Sequence, residues 1–165
     1  MNLDRPAPQV RPLVVAAAMI AALALQTTVL NSVTIGGVKP DLVLVLAMCA
    51  GLLSGPGMGA MYGAAAGVLE GYAQGSHLGS LGVSRALAAF LAGTVETRLL
   101  RNNLVVPAAT VFLGSAAAHA IFFVMAPAFP IARPLRIAAM ESLLNMLIAP
   151  VCYAALARWG RGRRR

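Results

Sequence analysis

Apolar residues fill most of this chain in long blocks, and short polar clusters cut those blocks at regular intervals. The first block, residues 13–30, carries no charge. The uncharged run continues to Val38, longer than the roughly 20 residues a helix needs to span a bilayer. It closes on Gln26, Thr27 and Thr28, and Gly36, Gly37, Lys39 and Pro40 make the loop that follows. Asp41 opens a second helix running to about Ser54, because an acid in the first turn complements the helix dipole. Gly55, Pro56 and Gly57 predict a tight break that returns a third helix, residues 58–73, antiparallel beside the second. Three more spans are predicted at 81–97, 104–126 and 135–157. They are separated by a basic loop (Arg98, Arg101, Asn102, Asn103) and a proline-stiffened one (Pro127, Pro130, Pro134), and Trp159 marks the interfacial end. The expected fold class is all-α, a polytopic membrane protein of six transmembrane helices. A polar, proline-rich disordered lead (1–12) precedes the helical domain (13–157), and a basic tail (158–165) follows it.

The third helix has its own pattern. Glycine recurs every fourth residue, at Gly59, Gly63, Gly67, Gly71, Gly75 and Gly79. A step of four carries the chain about 40° past one turn, so the helical glycines form a slowly drifting stripe. In water each interior Gly costs about 1 kcal/mol against Ala. In lipid the same spacing lets a second helix approach backbone to backbone. The stripe is expected to pack chiefly within this chain, with pairing to another chain, including a homodimer, as the sharper alternative. Glu70 projects within roughly 20° of that stripe. At some 16 residues the helix rises about 24 Å, short for a crossing, which suggests little tilt or a thinned bilayer.

Composition agrees with the pattern. At 59% hydrophobic and 11% charged, with mean hydropathy +0.80, the chain is no ordinary soluble globule. Its net charge of +8 would suggest nucleic acid in a soluble protein. Here Arg158, Arg161, Arg163, Arg164 and Arg165 follow the last apolar run, where topology and anionic lipid account for them. No nucleic-acid partner is expected. Cytoplasmic termini place these five with Arg5, Arg11, Arg98 and Arg101 inside, against Lys39, Arg85, Arg133 and Arg136 outside. The first apolar run is too long for a cleaved signal peptide and continues into further spans. Cys49 and Cys152 lie in apolar runs without metal or redox spacing, and the eight methionines are scattered.

The same topology gathers charges. Asp41, Glu70, Arg85, Arg136 and Glu141 all fall in the outer half of the bundle, and Asn145 shares a helix face with Glu141 at spacing four. Arg85 is the natural partner of Glu70, since both stand about one turn inside the same short loop. Charges at membrane depth are costly unless paired or hydrated. Three readings follow: an ion-pair network fixing helix register, an outward-open pocket for a ligand or lipid headgroup, or contact with a partner's transmembrane helix. His119, four residues after Ser115, reads as a neutral hydrogen-bonded core histidine rather than a proton relay. Glu96 with Arg98 and Arg101 reads as anchoring at the inner interface. No nucleophile beside a base, phosphate loop or metal motif appears, so neither an enzyme nor a cofactor or metal site is expected.

The order of features resembles the rod shape-determining protein MreD family. The carriers are Gln26-Thr27 closing the first span, Pro40-Asp41-Leu42 opening the second, and Gly55-Pro56. Gly59, Gly63 and Gly67 follow, with an acid at Glu70, then Leu78-Gly79 and the stretch from Arg98 to Asn103. The likeness covers about residues 13–157. That family more usually carries Asp where this chain has Glu70, and Arg85 is an unusual charge for its position. The resemblance implies a scaffold in the bacterial inner membrane, part of the lateral cell-wall elongation machinery. Its partner would be MreC, linked to the MreB filament and to the transpeptidase and glycan polymerase of the rod complex. It also implies a fold similar to the substrate-binding component of energy-coupling-factor vitamin transporters. That function is the alternative reading, although aromatic residues make up only 5% of the chain and vitamin pockets favour ring-lined walls.

Overall fold

The computed structural model describes residues 10–28, 36–95, 104–127 and 129–160. Six helices account for nearly all of them: α1 (Pro12–Thr28), α2 (Leu42–Ser54), α3 (Pro56–Gln74), α4 (Leu78–Gly93), α5 (Val105–Met125) and α6 (Ala132–Trp159). No strand occurs among the described residues. Successive helices alternate in direction. The starts of α2, α4 and α6 therefore meet the ends of α1, α3 and α5 at one end of the bundle.

Side chains close the helix starts there. The Asp41 carboxylate accepts from Leu44 N at 2.9 Å, capping α2 as its position predicts. Two neighbours complete the job: Gln26 Oε1 accepts from Val43 N at 3.2 Å, and Asn145 Oδ1 accepts from Asp41 N at 2.8 Å. Backbone donors that a buried helix start would leave without partners are thus satisfied by α1, α2 and α6 together. At the other end of α2 the break is tighter than the sequence suggests. Gly55 alone, at φ 90°, separates it from α3, and Pro56 already occupies the first helical turn, where its missing N–H costs nothing.

α2 is the axis of the bundle. All its residues except Leu42 and Leu46 are buried, and α1, α3, α4, α5 and α6 all pack against it. The tightest seam lies between α3 and α4. A Cβ at Gly63 would come within 2.7 Å of the Arg85 carbonyl carbon, and one at Gly67 within 2.6 Å of Gly82 Cα. Gly59 meets Ala89 and Gly71 meets Leu78 in the same way. The stripe predicted from the glycine spacing is therefore filled by α4 of the same chain. It leaves no room for a second helix.

Two helices, α5 with 21 residues and α6 with 28, are long and apolar enough to cross a membrane. Six full crossings are expected from the sequence, yet the apolar helices α1, α2 and α4 have 17, 13 and 16 residues, below the length of a crossing. The expected boundaries of α1 and α2 hold to within two residues, and α4 lies three to four residues earlier than the expected 81–97. Asp41 and Gly55 cut α2 at both ends, and α4 ends at Gly93 in a turn through Thr94. Large apolar side chains on the outside (Leu13, Leu113, Val124, Leu147, Val151) stand 66–85% exposed, while Asp41, Glu70, Arg85, Ser115 and Asn145 are buried.

Val10 is buried, its N–H donates to Ser54 Oγ at 3.3 Å, and Arg11 N donates to Gly160 O at 2.9 Å. Ordered structure thus begins before Pro12, where the polar lead was expected to end, and the two ends of the described chain lie side by side. The rest of that lead, the stretch holding Glu96, Arg98 and Arg101, and the arginines at 161–165 lie outside the described residues.

Candidate functional site

Where α3 and α4 cross closest, Arg85 and Glu70 face each other across the seam. The Arg85 Nη2 atom donates to Asp41 Oδ2 at 2.5 Å and also pairs with Glu70 Oε2. Side chains of all three are at most 9% exposed. The predicted Arg85–Glu70 pair is present, and Asp41 joins it from α2. One guanidinium thus serves two carboxylates inside a low-dielectric bundle. Removing that guanidinium would leave uncompensated buried charge, a far larger cost than losing the attraction itself. Glu70 Oε1 has no hydrogen-bond partner among the described residues.

A second polar line runs along the α5–α6 seam. Asn145 Nδ2 donates to Ser115 Oγ at 3.0 Å while its oxygen holds Asp41 N, so one amide ties α2, α5 and α6 together. One turn away, Glu141 Oε1 stands 3.5 Å from His119 Nε2. The spacing-four pairs Ser115/His119 and Glu141/Asn145 thus face each other across the seam. His119 is half-buried rather than enclosed in the core.

These groups surround a cavity of about 480 Å³. Gln26, Lys39, Glu70, Arg85, His119 and Glu141 are in its wall, and Phe122 supplies the ring. Next to it an apolar groove of about 680 Å³ lies along α5 and α6, lined by Phe123, Ile131, Leu135 and Ala138 among others. His119 and Phe122 belong to both.

Of the predicted site residues, Asp41, Glu70, Arg85, Glu141 and Asn145 converge, and Arg136 does not. Arg136 is exposed. Nine residues separate it from Asn145, and at 100° per residue that places it on the opposite side of α6. The same arithmetic, applied to the sequence, would have removed it. Gln26, expected at the end of the first span, and Lys39, expected in the loop before Asp41, join Asp41, Glu70, Arg85 and Glu141 on the cavity wall. An amide near the end of an otherwise apolar span was the available signal for Gln26. Cys49 is a buried free thiol whose Sγ donates to Ala149 O at 3.7 Å. Among the described residues no three His, Cys, Asp or Glu side chains converge on a metal-sized site.

In class, then, this is an all-helical bundle with an apolar exterior, a buried carboxylate–guanidinium triad and a polar cavity beside it. The chain matches no protein-family model, and no curated protein or solved structure shows significant similarity to it.

Proposed function

We propose that this chain is a multi-pass membrane scaffold of the bacterial cell-wall elongation machinery, similar in role to MreD, with both termini cytoplasmic. The observation that carries the membrane part is the inverted distribution of polarity. Leu13, Leu113, Val124, Leu147 and Val151 face outward while Asp41, Glu70 and Arg85 sit inside. Water would penalise that arrangement and lipid favours it. The exposed Tyr72 and Trp159 stand near opposite ends of the bundle, as interfacial aromatics do. In this reading all six helices enter the bilayer. The short α2 is buried among the other helices, which relaxes the need for it to match the full thickness.

Support for a scaffold comes from how the polar groups are used. Asp41, Arg85, Gln26 and Asn145 hold helices to one another rather than presenting a reactive pair. They include residues that carry the MreD resemblance, Gln26 and Asp41. The glycine stripe is occupied by α4, so a partner helix such as that of MreC docks on an outward face instead. Co-expression with a single-pass, periplasmic-domain partner should give a complex stable in detergent. Crosslinkers at Leu113 or Leu147 should capture the partner, and one at Gly63 should not. Failure to associate with any elongation component removes this reading.

A second reading, the substrate-binding component of an energy-coupling-factor vitamin transporter, is favoured by the polar cavity, whose volume suits a small molecule. Nanomolar vitamin binding that is lost in Glu70 or Glu141 variants would select it.

A further inference from the structure

The two ends of the described chain meet in a basic corner. Val10 is buried, its N–H donates to Ser54 Oγ at 3.3 Å, and its carbonyl accepts from Tyr62 Oη at 3.4 Å. That anchor holds the next residue against the end of α6, where Arg11 N donates to Gly160 O at 2.9 Å. Arg11 and Arg158 thus come together from opposite ends of the sequence, and bond lengths alone keep their Cα atoms within about 15 Å. Both are exposed, and no carboxylate among the described residues pairs with either. We propose that this corner binds an anionic phospholipid with two phosphates, a diphosphatidylglycerol, one phosphate to each arginine. The site rests on the membrane reading above and is independent of the scaffold role.

Charge selects an anion. Asp41, Glu70 and Glu141, the carboxylates among the described residues, all line the cavity at the other end of the bundle. The segments 1–9, 96–103 and 161–165 connect to the basic end by sequence. With Arg11 and Arg158 they hold nine of the 13 Lys and Arg residues, against Asp4 and Glu96. Two acids cannot neutralise nine cations, and guanidinium groups held close without a counter-ion repel each other. Each guanidinium is a planar fork that matches phosphate oxygens in pairs. Basic sites of this kind at the membrane surface suit lipid head groups.

The surface beside each arginine selects a lipid over an acidic protein or a nucleic acid. On α6, Val151, Ala154 and Arg158 follow at spacings of three and four, so an exposed apolar face ends in the arginine. On α1, Leu13, Ala17 and Ile20 make a similar exposed face directly after Arg11. Trp159, 72% exposed, stands beside Arg158 as an interfacial aromatic does. Both helices pack against α2, and the Arg11–Gly160 hydrogen bond joins them at this end. Each arginine therefore tops its own apolar stripe. Two phosphatidyl units tied by one glycerol match two stripes tied at one point. Once the first phosphate is bound the second binds as part of the same molecule, so the linked lipid outcompetes two separate ones.

The test is native mass spectrometry of the full chain, purified in a mild maltoside detergent. It would be equilibrated with diphosphatidylglycerol, phosphatidylglycerol and phosphatidylethanolamine of identical acyl chains, at equal phosphate. The expected result is retention of diphosphatidylglycerol about tenfold over phosphatidylglycerol, with phosphatidylethanolamine below both. Arg11→Gln and Arg158→Gln should each lower diphosphatidylglycerol retention about fivefold, and Arg133→Gln, at the other end of the bundle, should leave it unchanged. Gly160→Leu puts its Cβ onto Val10 Cγ1 and should prise the two arginines apart with every charge kept. It should erase the preference for the two-phosphate lipid, as should Val10→Ser, which loses the apolar anchor. Replacing Arg161, Arg163, Arg164 and Arg165 by Gln should lower both anionic lipids together and keep their ratio. Equal retention of the two anionic lipids per phosphate overturns the proposal, as does a preference for phosphatidylethanolamine. A ratio that survives in Arg11→Gln and Arg158→Gln, or in both Gly160→Leu and Val10→Ser, or that disappears with the four tail arginines, overturns the assignment to this corner. Should the chain instead stay in solution without detergent, the membrane reading itself falls, a result distinct from a membrane protein that holds anionic lipids without selectivity.

Discussion

The two longest seams of the bundle are built on opposite principles. Between α3 and α4 nothing separates the backbones but glycine hydrogens, at Gly59, Gly63, Gly67 and Gly71. Between α5 and α6 the contact is carried by side chains, Ser115 with Asn145 and His119 with Glu141, and a groove of about 680 Å³ remains along it. The first seam resists any added atom and brings Arg85 and Glu70 together. The second leaves room, and its polar pairs lie at the edge of a cavity. The difference separates what must be rigid from what is left open. Backbone contact fixes the charged triad, and looser packing next to it forms the site.

Breaking the triad should have the largest effect. Arg85→Met leaves Asp41 and Glu70 facing each other without a cation, and should destabilise the fold by about 3–5 kcal/mol. Reversible unfolding in mixed detergent micelles would measure it. Adding Asp41→Asn and Glu70→Gln to Arg85→Met should recover most of the loss, because the uncompensated charges leave with the mutation. An Arg85→Met chain as stable as the native one would end the claim that Arg85 compensates two buried carboxylates.

The glycine seam offers a sharper internal control. Gly67→Val puts its Cβ onto Leu81 and Gly82 of α4 and should cost about 1–3 kcal/mol, since backbone atoms cannot step aside. Gly82→Ala, on the partnering helix, meets nothing within 4 Å and should be neutral or stabilising by up to about 1 kcal/mol. The same unfolding assay compares them. Equal effects at the two positions would mean that the stripe is a matter of helix propensity, not of close approach.

Asn145→Leu should have a more modest cost, about 1–2 kcal/mol, from the lost partners of Asp41 N and Ser115 Oγ. Hydrogen exchange at the first turn of α2 should rise in this variant while the α3–α4 seam keeps its protection. Protection lost equally in both places would show that the two seams are one cooperative unit.

Much of this was written in local pattern. The drifting stripe from Gly59 to Gly71, the cap at Asp41, and the gathering of Asp41, Glu70 and Arg85 at one end all follow from spacing and from helices that alternate in direction. Period and turn are short-range properties, and a helix of 3.6 residues per turn carries them unchanged into the fold. Helix lengths were less legible. α2 stops at Ser54, where the Gly55 break was expected, but α4 runs Leu78–Gly93 rather than 81–97 and ends where Gly93 lies against Gly55 and Pro56, because a close contact stops a helix where hydropathy alone would let it continue. Which helix closes on the stripe, why Asn145 reaches across to the start of α2, and that His119 stands between a polar cavity and an apolar groove depend on contacts between residues far apart in the chain. The sequence by itself determined the helices, their apolar surface and the charges they must shelter. Only the tertiary structure decided the pairing and the voids, because these arise from how helices pack, which no single helix specifies.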